Sequence, residues 1–279
     1  RKYNVSKSGR FADRTFVILA NDNEGRLKDL VQRLEAQGIE LYKNNSSIEV
    51  DQATYQTGDT VKKFNIPAGS LIIPNRQPDA PLVAAIMEFD AEFSKSVLIE
   101  ERQKTLKDGS SIMYDTTAWN FSMMYGLPAV TVDQEITSEL TPWEITSTPI
   151  ELDLNANAWA VNGHDDRSVA FAARLMEKGV NVRIVDQSTK ISGAKISRGS
   201  VIVATVDNPD LSNLSKLVAD EAKYLGTTIA SISSGYGKGD LPDWGGRHFR
   251  LLNRPQVAIL SHDGFNSYDV GASWWSIDH

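Results

Sequence analysis

The sequence predicts an α/β protein of two similar lobes from an internal duplication, each a small mostly parallel sheet with flanking helices. Three observations carry this. The run Ile66-Pro67-Ala68-Gly69-Ser70-Leu71-Ile72-Ile73 returns 130 residues later as Ile196-Ser197-Arg198-Gly199-Ser200-Val201-Ile202-Val203. Each copy is preceded by a short apolar run, Thr15 to Ala20 or Trp159 to Asn162. Between run and copy lies an amphipathic stretch closed by glycine, at Gly38 or Gly179. Repeated units of this kind decide an architecture before any single motif does.

In the first repeat, Thr15 to Ala20 has the continuous apolar character of a strand covered on both faces. Asn21-Asp22-Asn23-Glu24 supplies capping side chains and an acidic first turn. Leu27, Leu30, Val31 and Leu34 share one helical face. Gly38 then offers the left-handed cap, and Ile39 to Tyr42 resumes as a strand, giving an expected β-α-β unit. In the second repeat, Gly163-His164-Asp165-Asp166 opens a helix with Phe171, Ala172 and Leu175 inward, and Gly179 closes it before Val180 to Val185. The spacing from Gly38 to Gly179 is 141 residues but from Gly69 to Gly199 only 130, so the first lobe carries about 11 extra residues, expected around Asp51 to Asp59. Pro78-Asp79 and Pro209-Asp210 each precede a further helix, where proline is tolerated in the lead-in.

The unrepeated segments complete the layout. Ser96 to Lys107 reads as an exposed charged helix ending at Asp108-Gly109, after which Tyr114 to Trp119 leads into an aromatic and methionine-rich helix that stops at Gly126. The resulting division is a first lobe at 1–132, a linker rich in Thr, Ser, Glu and Pro at 133–149, a second lobe at 150–253, and a third α/β domain beginning at 254–279 with a strand at Gln256 to Ser261 and a helix at Tyr268 to Ile277. The chain is expected to stop inside that third domain.

Composition narrows the chemistry. With 29 Lys and Arg against 36 Asp and Glu, the net charge is −7 and no basic stripe is present, which argues against nucleic acid. No apolar run approaches the roughly 20 residues of a membrane span. There is no cysteine, hence no disulfide, thiolate ligand or cysteine nucleophile.

The candidate motifs weigh toward structure. Residues three after His164, His248 and His262 are Arg167, Leu251 and Phe265, so the His-x-x-Glu pair of a zinc hydrolase is missing. His164-Asp165-Asp166 remains the best metal candidate, against the simpler role of capping a helix. Ser70 and Ser200 follow glycines but lack the G-x-S-x-G elbow, and stand at matching strand starts. Gly235-Tyr236-Gly237-Lys238-Gly239 follows an expected strand, Thr227 to Ile232, yet lacks phosphate-loop spacing, so a flexible connector is expected. Asp115 is placed to cap the aromatic helix, and Trp119 and Met123 share a face; that helix either docks across the lobes or presents an interface.

Two groups of residues carry a resemblance. The runs Pro67-Ala68-Gly69-Ser70 through Ile73-Pro74-Asn75-Arg76-Gln77-Pro78, Tyr114-Asp115-Thr116-Thr117-Ala118-Trp119 and Tyr125-Gly126-Leu127 resemble the region downstream of the peptidase domain in large bacterial zinc carboxypeptidase-like proteins of the carboxypeptidase A type. Pro255 to Leu260 with Ser267-Tyr268-Asp269 is similar to the start of a class I glutamine amidotransferase-like domain. The resemblance implies that zinc and its ligands belong to a peptidase domain that no stretch here matches. It therefore implies no catalytic residue, metal ligand or cofactor in this chain, and an accessory role with the peptidase and amidotransferase-like domains as partners. Arg76, Tyr114, Asp115, Trp119 and Tyr125 become the expected binding or interface residues, and a periplasmic or extracellular location is the family expectation. The alternative is a small-molecule or peptide binding module with its ligand between the two lobes.

Overall fold

The structure, a computed structural model, describes residues 12–89, 93–113, 120–136, 140–144 and 152–278. The first lobe comprises β1 (Thr15–Ile18), α1 (Glu24–Ala36), β2 (Tyr42–Asn44), β3 (Ile48–Tyr55), β4 (Thr60–Ile66), β5 (Leu71–Pro74), α2 (Ala80–Met87), α3 (Lys95–Asp108), α4 (Phe121–Met124), β6 (Ala129–Val132) and β7 (Leu140–Pro142). The second comprises β8 (Ala158–Val161), α5 (Arg167–Glu177), β9 (Arg183–Val185), β10 (Thr189–Ile191), β11 (Ala194–Ile196), β12 (Val201–Ala204), α6 (Leu214–Leu225), β13 (Ile229–Ile232) and β14 (Phe249–Leu251). A last helix, α7 (Ser267–Asp278), follows.

The expectation of mostly parallel sheets is overturned. The first sheet runs β4-β3-β6-β1-β5-β2-β7 and the second β13-β8-β12-β9-β14, and each pairing in both is antiparallel. β1 and β2 both run antiparallel to β5, so they are parallel to each other but separated by it; the expected β-α-β unit is split by the Gly-Ser strand. The apolar runs misled for a physical reason: they report covered faces, not strand direction. Phe16, Ile18, Leu71 and Ile73 pack with α1 and α2, while Val17, Ile72, Val130 and Val132 pack with Ile48, Val50, Ala53 and Ile66. The second lobe repeats this, with Trp159, Val161, Val201 and Val203 against α5 and α6, and Ala158, Ala160, Ile202 and Ala204 against Ile191, Ile196, Trp244 and Phe249.

Matched strand for strand, β6-β1-β5-β2-β7 corresponds to β13-β8-β12-β9-β14. The hairpin β3–β4 corresponds to β10–β11: nineteen residues, Ile48–Ile66, stand against eight, Thr189–Ile196, which accounts for the 11-residue offset.

The repeated Gly-Ser pair has one job in both lobes. Gly69 and Gly199 each sit at φ +85°, which favours glycine, and their amides donate to the carbonyls of Asn44 (2.8 Å) and Val185 (2.7 Å). The fully buried hydroxyls of Ser70 and Ser200 accept from the amides of Ala20 (3.1 Å) and Gly163 (3.0 Å), one turn of chain beyond β1 and β8. A second repeated device is a buried amide before Pro-Asp. Gln77 donates to the carbonyls of Pro74 and Glu40 and accepts from the Glu40 amide (2.7 Å). Asn208 donates to the carbonyls of Ala204 and Asn181 and accepts from the Asn181 amide (2.7 Å). Each ties the chain after the helix to the end of the Gly-Ser strand.

Several segments differ from the sequence reading. Residues 140–143 are not linker: β7 pairs with β2, and the Trp143 amide donates to the Leu41 carbonyl (2.8 Å). The glycine-rich loop is not a slack connector, because Gly237 bridges Ile191 and Trp244 is buried against the second sheet. A side chain at Gly237 would lie 2.4 Å from the Leu241 carbonyl oxygen. The run Gln256 to Ser261 joins no ladder among the described residues, whereas α7 forms where a helix was expected.

Candidate functional site

The lobes meet through equivalent loops. β1 leads through residues 19–23 into α1, and β8 leads through residues 162–166 into α5. Asn23 caps α1 with its side-chain oxygen on the Arg26 amide (3.1 Å). At α5 the capping contact comes from Asp165, whose Oδ1 accepts from the Arg167 amide (3.0 Å). These two helix starts face each other.

Three contacts fix the junction. The Arg26 guanidinium donates to the Asp166 carboxylate and also to the Tyr125 carbonyl (3.1 Å). His164 Nδ1 lies 3.2 Å from Asp22 Oδ2. Gly25 is buried, and a Cβ there would fall 2.6 Å from Asp165 Oδ1, so only glycine permits this approach. Arg167 answers Arg26 from the other repeat by donating to the Gly226 carbonyl (2.9 Å).

Between the lobes lies a cavity of about 290 Å³. Asp22 and Glu24 line it from the first lobe; Asn162, Asp165, Lys195, Thr227 and Thr228 line it from the second. The Glu24 carboxylate has a single weak hydrogen bond among the described residues, from the Thr228 hydroxyl at 3.4 Å. Asp165 is 4% exposed and has no cationic partner among the described residues. The buried Thr227 hydroxyl has no hydrogen-bond partner among the described residues. Lys195 is exposed, with no ion pair among the described residues.

His164, Asp165 and Asp166 do not fit a zinc ion. Their partners diverge to Asp22, the Arg167 amide and Arg26, and no group of three or more candidate ligands that could hold a metal occurs among the described residues. Ser70 and Ser200 are fully buried and committed to backbone amides.

The residues singled out from the sequence are dispersed. Arg76 pairs with Asp13 and Glu135 within the first lobe, beside the Arg14 pairs to Glu88 (2.5 Å) and Asp133 (2.7 Å). Burial works to lower the Arg14 pKa, but the bonds to Asp133 and Glu88 outweigh it and raise it. Tyr125 is half-buried against Phe121, and its carbonyl joins the junction through Arg26. Tyr114, Asp115 and Trp119 lie outside the described residues. The helix that the sequence caps at Asp115 is described only over Phe121–Met124, where the Asn120 side chain caps it by accepting from the Met123 amide (2.8 Å). The sequence does not group Asp22, Glu24 and Lys195; its one readable signal is that both repeats place acidic residues after their first strand.

Comparison with family models, curated proteins and solved structures finds no match to this chain.

Proposed function

We infer that this chain is an accessory, non-catalytic region of a zinc carboxypeptidase-like protein, packing on the peptidase and amidotransferase-like domains of its parent polypeptide, with zinc held by the peptidase domain. The observation that carries the reading is the apolar surface of residues 257–277. Val257, Leu260, Phe265, Tyr268, Trp274, Trp275 and Ile277 are each more than half exposed, Tyr268 reaching 87%. An apolar, aromatic surface of this density is a feature of sites that pack on another protein surface. The resemblance of this same segment to the start of an amidotransferase-like domain supplies the partner.

No helix among the described residues is long and apolar enough to cross a membrane. The periplasmic or extracellular location remains part of the proposal and rests on the resemblance alone.

The test is a pull-down of the separately produced peptidase and amidotransferase-like domains with this chain. Retention of either at micromolar concentration is expected, and a Trp274→Ser, Trp275→Ser double variant should lose it. Failure of both domains to be retained by the unaltered chain contradicts the reading.

A further inference from the structure

We propose that the cavity between the lobes is a binding site for a small zwitterion bearing an ammonium and a carboxylate, an amino acid or dipeptide in size. This goes beyond the accessory role and does not depend on it.

The cavity, at about 290 Å³, is at the low end of ligand-sized clefts, and junctions between lobes are where such clefts form. Its charge is unbalanced. Asp22, Glu24 and Asp165 line it against a single lysine, Lys195; Asp22 lies 3.2 Å from His164 Nδ1, and the neighbouring arginines are engaged elsewhere, Arg26 with Asp166 and Arg167 with the Gly226 carbonyl. Asp165 is 4% exposed and its carboxylate accepts one hydrogen bond among the described residues, from the Arg167 amide, which leaves it lone pairs for a further donor. Independently, Thr227 lines the same cavity, and its hydroxyl is buried with no hydrogen-bond partner among the described residues. Such groups are rare in folded proteins and each calls for an explanation.

A ligand ammonium satisfies the carboxylates. A metal ion is disfavoured, since the carboxylates do not gather into a set of three or more ligands. The Lys195 ammonium, with no ion pair among the described residues, also lines the cavity and provides the counterpart for a ligand carboxylate. Asn162, whose Oδ1 is taken by the His164 amide and the Ser197 hydroxyl, leaves its side-chain NH₂ as a further donor.

The experiment is calorimetric titration of the whole chain with L-alanyl-L-alanine, its N-acetyl derivative and its C-terminal amide. One-site binding of the free dipeptide is expected, at least tenfold weaker for the N-acetyl form and severalfold weaker for the amide. Asp165→Asn keeps the oxygen that caps α5 and should weaken the free dipeptide at least tenfold. Lys195→Gln, at an exposed position, should weaken the free dipeptide but not the amide. No heat from any of the three compounds at millimolar concentration overturns the proposal. So does equal binding of the free and N-acetylated dipeptides, or calcium binding in place of the dipeptide.

Discussion

Arg26 in the first helix of one lobe grips Asp166, the residue that opens the equivalent helix of the other. The contact joins the lobes through matching positions of the two repeats. Its energy is nevertheless small, because both side chains are about half exposed and solvent screens the pair. Arg26→Met should therefore cost less than about 1 kcal/mol in denaturant unfolding. A larger loss would mean that the carbonyl contact to Tyr125 dominates.

Steric fit at Gly25 is the stronger constraint. Gly25→Ala places a methyl group against Asp165, with Arg167 3.1 Å away, so the lobes must separate or their loops shift. A cost of about 1–3 kcal/mol is expected, with far-ultraviolet circular dichroism unchanged and a larger radius of gyration by solution scattering. Unchanged stability and dimensions would show that the loops yield without loss.

The serine pair offers an internal control. Ser70→Ala and Ser200→Ala each remove the hydroxyl that accepts from a part-buried backbone amide, at Ala20 and Gly163, for an expected cost of about 0.5–1.5 kcal/mol each. Similar losses are expected because the sites are equivalent. Gly163→Ala should be worse than either, since its methyl would meet the Gly199 and Ser200 backbone at 2.2–2.3 Å. Equilibrium urea unfolding of the three variants decides the order.

Glu221 sets a pH dependence. Burial alone pushes its carboxyl up, but hydrogen bonds from Lys178 and Arg174 (2.5 Å) prevail and hold it below the ordinary glutamate range. A depressed carboxylate stabilises the fold above its unfolded pKa, about 4.3, and that contribution is lost as pH falls through the folded value. Because Arg174 and Lys178 are both more than a third exposed and solvent screens them, Glu221→Gln should cost no more than about 1.5–3 kcal/mol at pH 7 and flatten the decline in stability below about pH 4.3. An unaltered pH profile in the variant would remove Glu221 from the account.

The sequence made local structure readable where a short-range rule governed it. Leu27, Leu30, Val31 and Leu34 form the buried stripe of α1, and Gly38 takes its positive φ just beyond it. The Gly-Ser repeat located two equivalent strands because glycine conformation and a buried hydroxyl are tied to those residue types. Strand direction was not readable. β1 finds β5 and β6 at Leu71–Pro74 and Ala129–Val132, and an apolar run is the same whichever way its partner points. β7 is not legible because Leu140-Thr141-Pro142 is too short to carry a pattern, and its pairing depends on Tyr42 to Asn44 far upstream. The cavity was invisible for a related reason: Glu24 and Lys195 are 171 residues apart and acquire a common role only when the repeats dock.

The most direct test of the non-catalytic assignment is a peptide-hydrolysis assay with the purified chain and added zinc, alongside zinc retention after gel filtration. The account predicts no release of C-terminal residues and no stoichiometric zinc. Turnover that co-purifies with this chain and disappears on chelation would contradict it.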